Sequence, residues 1–462
     1  MNAVFLGGGS LRLLPLFRGF FSKAPEFFRN GEIRLVDLKP ERAEAVGKLI
    51  LACPEYENVR CKVIWTDNID EALPGADVMY LTMAARSDPT DTQSFFLSTR
   101  YGFHSSDNLS VNGAFLSLRL GRTILNIAKK MEQFCPDAQM LIFPNPVAVY
   151  SHLVNTHTKI RALGICGGFC NHRYDLTRLT QGRDEYDDSW DLVAAGVNHL
   201  SFILRGKWRG KDFYSEVLPE SLTDDWKPVV CDSPFDWARR AMENAQVMMY
   251  NTYKRYGVVT FSSEGDGSAH LDLENAVKLQ KMRFGTGENF NPVEAKRIYE
   301  TRITDSFRNF IESSKHPEKI DWDSAGGNYG RNESDISIPI FRAIAGVEPM
   351  RIVATQPNFG AVRGFDDGMP LEYSMDISGK TITPVENLYI PDPYFGLISS
   401  LSDFQRLQSE AIAAWDPEIF ALALEAYPLK QFTAERRAYY KELFDLYSDI
   451  DPHMLEAKKY FY

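Results

Sequence analysis

Cysteine is scarce here, six in 462 residues. Cys53, Cys61, Cys135, Cys166, Cys170 and Cys231 are too scattered for a disulfide scaffold, which fits free thiols in a reducing, cytoplasmic setting. Long apolar runs are missing too. No stretch approaches the ~20 residues that span a bilayer, and the opening MNAVFLGGGS has no basic segment ahead of an apolar one, so no membrane partner is expected. Basic charge is in deficit: 51 Lys and Arg against 62 Asp and Glu leave a net charge of −11. That balance weighs against nucleic acid as a partner, although a few local arginines can still serve an anionic substrate. The sequence also lacks a Gly-x-Ser-x-Gly elbow, a P-loop, a His-Glu-x-x-His helix and any internal repeat, which removes those enzyme classes and solenoid folds.

What is present is ordinary globular composition, 44% hydrophobic and 24% charged, in a chain too long for one core. Strands at Asn2–Leu6, Ile33–Val36, Val78–Thr82, Met140–Phe143 and Ala162–Ile165 alternate with helical stretches, among them Phe115–Phe134. That alternation predicts an α/β fold, a Rossmann-type doubly wound parallel sheet. Beyond residue 190 short strands at Leu192–Val197 and Ser201–Arg205 mix with helices near 235–256, 292–313 and 403–427. The expected division is a dinucleotide-binding domain at 1–190 and an intimately packed C-terminal α+β domain at 191–462, with no linker between them.

The first strand runs into Gly7-Gly8-Gly9-Ser10 and then a helix, the layout of a phosphate-binding turn. The fingerprint is incomplete, because Arg12 stands where its third glycine falls. Asp37, ending the second strand, is placed to bind ribose hydroxyls and to repel a 2′-phosphate, which favours NAD over NADP. A plain tight turn is the simpler alternative.

Other polar clusters follow strands. Phe143-Pro144-Asn145-Pro146 puts an asparagine where α/β sheets bind ligands, although an asparagine closing a turn looks the same. Cys166, in Gly164-Ile165-Cys166-Gly167-Gly168-Phe169-Cys170-Asn171-His172, and His199, in Gly196-Val197-Asn198-His199, could together hold one divalent metal. A buried structural cysteine is the commoner outcome. The loop Phe261 to His270 sets Glu264, Asp266 and His270 among small residues, as a cleft lining or a solvated loop would.

Together these segments resemble glycoside hydrolase family 4, in the right order along the chain. Tyr101-Gly102-Phe103, Asn112-Gly113 and Leu118-Arg119 resemble its glycine turn and helical arginine. Asn145-Pro146 resembles its Asn-Pro element, and Gly196-Val197-Asn198-His199 its metal motif. Asn358 to Val362 and Ser409 to Leu429 resemble its closing stretch. The resemblance implies a lactate/malate dehydrogenase-like fold and an NAD- and manganese-dependent glycosidase. In that chemistry C3 of the sugar is oxidised by NAD, a base removes the C2 proton beside the metal, the aglycone is eliminated, water adds at C1, and the hydride returns.

The resemblance assigns Gly7, Gly8, Gly9, Ser10 and Asp37 to the cofactor. It assigns Asn112, Arg119, Asn145 and Asn171 to the substrate, and His199 with Cys166 or Cys170 to the metal. Cys166 ends the strand but lacks the family's following His, Asn or Asp; Cys170 has Asn171 but lies four residues on. Strand geometry favours Cys166. For the base, Tyr256 lies in a segment like that of the phosphoglycosidases, whereas Asp266 and His270 lie in a loop closer to the uronidase-like branch. The substrate leans accordingly toward a non-phosphorylated α-galactoside or uronide, and the family's habit is a homodimer or homotetramer. Two rivals remain: an NAD-dependent 2-hydroxy-acid dehydrogenase, which needs no metal, and a non-catalytic NAD- or sugar-binding homologue.

Overall fold

The computed structural model describes residues 1–83, 90–261, 265–284, 292–323, 336–429 and 433–461. Its strands are β1 (Asn2–Leu6), β2 (Glu32–Val36), β3 (Lys62–Thr66), β4 (Val78–Leu81), β5 (Gln139–Ile142), β6 (Ala162–Gly164), β7 (Trp190–Val197), β8 (Leu200–Trp208), β9 (Lys211–Asp212), β10 (Val259–Thr260), β11 (Met350–Pro357), β12 (Pro370–Ser378) and β13 (Thr381–Pro384). All belong to one sheet, in the order β10-β8-β7-β12-β11-β6-β5-β4-β1-β2-β3, with β13 on β12 and β9 on β8.

From β3 to β6 neighbours pair in parallel, the order of a doubly wound dinucleotide fold. These strands are short apolar runs because helices cover both faces; every residue of β4 and β5 is buried. From β6 outward the pairing is antiparallel, so the C-terminal half continues the same sheet. Phe341, from the helix Ser337–Ile344, joins Phe5, Phe20 and Phe28 in one aromatic cluster, with centroids 4.9 to 6.3 Å from its own. Two halves of the chain thus share one core.

The expected parallel strands are all present, within a residue at either end. The helix expected from Phe115 begins at Val111, where the Ser110 hydroxyl accepts the Gly113 N–H at 3.3 Å. The single helix expected over 403–427 is two, Phe395–Ala414 and Pro417–Ala426. Trp415 breaks it with a left-handed φ of 56°, and Asp416 caps the second helix by accepting from Glu418 N–H at 2.8 Å, with Pro417 in the first turn. Strands β3, β9, β10, β11, β12 and β13 were not expected from the sequence. Among the described residues no helix is long and apolar enough to cross a membrane.

Candidate active site

At the head of β1, Gly7 turns the chain with φ +89°. A Cβ on Gly7 would lie 2.6 Å from Met83 N, and one on Gly8 2.6 Å from Val36 N. One on Gly9 would lie 2.4 Å from the Arg42 Cβ. All three positions therefore exclude a side chain, because the turn packs directly against the ends of the neighbouring strands and against Arg42. Gly7 and Gly8 N–H donate to Val36 O at 2.9 and 2.8 Å. Gly9 N–H donates to Asp37 Oδ2 at 2.9 Å, and Asp37 Oδ1 accepts the Lys39 N–H, also at 2.9 Å. Asp37 thus clasps the turn as well as ending β2.

Ser10 and Arg12 follow, and the helix Leu13–Lys23 begins. Beside the turn opens a cleft of about 620 Å³ whose lining includes Gly7, Gly9, Ser10, Arg12 and Asp37. Its far wall is Ile303, Thr304 and Phe307 of the helix Pro292–Lys315, and the Arg42 guanidinium lies 3.5 Å above the Phe307 ring.

The second centre lies past the end of β6. Strands β7 and β8 are joined by the two-residue turn Asn198-His199, in which His199 adopts φ +71°. This places His199 Nε2 3.4 Å from Cys166 Sγ, which also accepts the Gly168 N–H at 3.3 Å. The space between them, about 10 Å³, is atom-sized, and His172, Asn198, Phe261 and Glu372 line it as well. Glu372, on β12 and buried, accepts from Asn198 Nδ2 at 2.6 Å and from the Ser201 hydroxyl at 3.4 Å. The Asn108 amide donates to Asn198 Oδ1 and in turn accepts from Gln405 Nε2 at 3.5 Å. His172 Nδ1 faces Asp175 Oδ2 at 3.5 Å, with its ring edge-on to Phe261. Thiolate and imidazole are a sound donor pair for a divalent transition metal. Among the described residues no group of three or more His, Cys, Asp or Glu converges to hold an ion.

Burial pushes the Cys53 thiol up to about 12, and those of Cys61 and Cys135 to about 11, so these three are packing residues. Among the cysteines whose side chains are described, half-buried Cys166 is the one brought to a histidine. The side chains of Cys170, Asn171 and Asp266 lie outside the described residues.

The remaining expected residues are dispersed. Asn145 follows β5, with a cis peptide to Pro146. Asn112, expected at the substrate, is buried and accepts a hydrogen bond from Tyr439 OH. Arg119, also expected there, pairs with Asp449 at 2.9 Å, 5.4 Å above the Tyr447 ring. The segment from Asn112 to Arg119 is thus turned to the C-terminal helices. Tyr256 ends the helix Asp236–Tyr256 and lines a separate groove of about 280 Å³ with Arg255 and Asn275. Its ring is edge-on to Tyr394, whose hydroxyl burial pushes up to about 12. His270 packs edge-on to Tyr427, with centroids 5.7 Å apart. Neither Tyr256 nor His270 lines the Cys166–His199 space.

Sequence reasoning did not assign His172, Asn198 and Glu372 to this space. His172 and Asn198 stand inside motifs the sequence offers. Glu372 has a fainter signal, a single carboxylate in the apolar stretch Met369-Pro370-Leu371-Glu372-Tyr373.

A glycine turn on a doubly wound sheet, with a cysteine–histidine pair at a neighbouring strand end, defines an α/β enzyme with a dinucleotide-type cleft. Residues 2–181 match the family 4 glycosyl hydrolases, and residues 194–429 match the C-terminal domain of that family. The chain belongs to glycosyl hydrolase family 4. It is 20% identical to an alpha-galacturonidase of Thermoanaerobacter italicus over 96% of both chains. It is 23% identical to a 6-phospho-beta-glucosidase of Escherichia coli over 93% of this chain and 91% of that one. Among solved structures, a 6-phospho-alpha-glucosidase from gut microorganisms, in complex with NAD and Mn²⁺, superposes with a TM-score of 0.79 at 17% identity, over 98% of this chain and 99% of that one.

Proposed function

We propose that this protein cleaves a non-phosphorylated glycoside, an α-galactoside or a uronide, by transient oxidation at C3 with NAD and a divalent metal, manganese in the relative above. The observation that carries this reading is the 3.4 Å approach of Cys166 Sγ to His199 Nε2 in a fold that also presents a side-chain-free glycine turn. The residues present fit both groups: the glycine turn opens on a cleft of about 620 Å³, which suits a dinucleotide, and the sulfur–nitrogen pair can ligate a divalent transition metal, although manganese more usually takes oxygen donors. Bound beside the Gly7-Gly8-Gly9 turn, NAD would supply reversible hydride acceptance at C3 of the sugar, and a divalent ion held by Cys166 and His199 would supply Lewis-acid polarisation of the sugar oxygens.

The chain's own residues do the rest. Asp37 holds the Gly7-Gly8-Gly9 turn in shape and offers its carboxylate to the ribose. Cys166 and His199 fix the ion, and the buried Glu372–Asn198–Asn108 chain holds the His199 turn in place. Asn145, at the neighbouring strand end, orients the sugar hydroxyls. His172, which lines the Cys166–His199 space, receives the C2 proton; His270 and Tyr256, which do not line it, are on this reading packing residues. The division at residue 190, assembly as a homodimer or homotetramer, and a cytoplasmic site of action belong to the same proposal. The matched segments 2–181 and 194–429 support the division.

The test is nitrophenol release from a panel of nitrophenyl glycosides and uronides, with and without Mn²⁺, NAD and reductant. Hydrolysis that needs both metal and NAD, without accumulating NADH, supports the mechanism and names the sugar. Activity confined to 6-phosphoglycosides would replace the substrate assignment, a possibility kept open by the Escherichia coli relative. Stoichiometric NADH release would mean a dehydrogenase.

A further inference from the structure

Arg12 occupies the third-glycine position of the dinucleotide turn, where a side chain ordinarily has no room. The helix it caps has no acidic residue in its first turn. The guanidinium lies 3.7 Å above the Phe143 ring centroid and donates through Nη1 to Tyr80 OH at 2.6 Å. Tyr80 is fully buried, and its hydroxyl lies 2.9 Å from the Ser337 hydroxyl. A planar cation is therefore held in a fixed pose in the lining of the cofactor cleft, beside Gly9 and Ser10.

In a complete fingerprint the loop amides and the helix N-terminus meet the pyrophosphate. Here most of those amides already have acceptors. Gly7 and Gly8 donate to Val36 O, and Gly9 donates to Asp37. Ser10 donates to Gly7 O, and Arg12 to the Ser10 hydroxyl. Asp37 also puts negative charge against the turn. An incoming pyrophosphate needs a positive partner that the backbone of this turn supplies only in part.

We propose that Arg12 binds the cofactor's pyrophosphate, so that a side-chain cation provides the charge complementarity that free loop amides provide elsewhere. The proposal rests on the reading of NAD as cofactor. A fork-shaped guanidinium suits paired phosphate oxygens. Phe143 and Tyr80 restrict its rotamers, so little freedom is lost on binding. The other anion within the proposed chemistry is a uronide carboxylate. The place of Arg12 beside the glycine turn favours the pyrophosphate.

The experiment is calorimetric binding of NAD, ADP and adenosine, without sugar, to the wild-type protein and to Arg12→Gln, Arg12→Lys and Tyr80→Phe. Arg12→Gln is expected to weaken NAD and ADP by about 10- to 100-fold and to leave adenosine unchanged. Arg12→Lys should recover part of that loss, and Tyr80→Phe, which keeps the cation, should lose only a few-fold. Unchanged NAD and ADP affinity in Arg12→Gln, with a raised KM for a uronide alone, overturns the proposal and moves Arg12 to the substrate. Equal weakening of adenosine also overturns it, because packing is then the cause. Wild-type protein that binds no NAD removes the cofactor reading first, and this proposal with it.

Discussion

The cofactor cleft is built around one short piece of chain, Gly7 to Asp37, closed from outside by the helix Pro292–Lys315. The cysteine–histidine space draws Cys166, His172, His199 and Glu372 from separate elements and holds them around an opening of about 10 Å³, against about 620 Å³ for the cleft. The first region leaves side chains out, which on the proposed reading lets backbone come close to a large ligand. The second brings side chains in, which on that reading lets a few atoms surround a small one. Local geometry fixes the first, and strand order fixes the second.

If the two regions are separable in this way, each can be damaged without the other. The largest effect is expected from Cys166→Ser, which replaces a thiolate donor with a weak one. Turnover should fall by roughly a thousandfold, about 4 kcal/mol, with metal content lost and NAD affinity within twofold of wild type. A parallel loss of NAD binding would show that the regions act as one. Glu372→Gln removes an acceptor from the buried chain behind His199. Metal affinity measured by competition with a chelating dye should drop about 10- to 100-fold, again without touching NAD.

Gly9→Ala probes the other side. Its Cβ would meet Arg42 Cβ at 2.4 Å and Asp37 Oδ2 at 2.9 Å, so fluorescence titration should show NAD weakened by about tenfold while the metal is retained. The smallest effect concerns the helix Val147–His157, which starts just after Asn145 and runs toward β6. His152 is buried against the Ser409 hydroxyl at 2.7 Å, and burial lowers its pKa to about 4. Its folded pKa is depressed, so unfolded chains bind the extra proton and stability falls as pH drops below the ordinary histidine value. Between pH 6.5 and 5.5 the protein should lose about 1 kcal/mol to this residue. The melting temperature of His152→Gln should fall less steeply over that interval, and an identical slope would assign the acid sensitivity elsewhere.

The same contrast explains what the sequence disclosed. Strands β1, β2, β4, β5 and β6 could be read because each is a short apolar run next to a glycine, asparagine or cysteine turn. Strands β11 and β12 escaped because Met350–Pro357 and Pro370–Ser378 carry polar residues such as Thr355, Glu372 and Ser374, whose partners lie far away in the chain. The glycine turn was legible because its requirement, no side chain, is written at the position itself. The meeting of Cys166 with His199 could be suspected from their places at separate strand ends and was reinforced by the family likeness, although their spacing alone does not dictate it. Asn112 and Arg119 show the opposite: a motif's place along the chain says little about which neighbour its side chains face.

The order of strands bears finally on when the protein becomes competent during its own synthesis. Cys166 and His199 are 33 residues apart, yet β7 joins β6 only through β12 and β11, which leave the ribosome much later. A nascent chain halted after β8 carries both donors but lacks the two strands that set their separation. Closing so distant a contact is slow and waits on the C-terminal segment. If Cys166 and His199 hold the metal as proposed, a chain truncated after β8 is expected to take up none, and uptake would report completion of the chain.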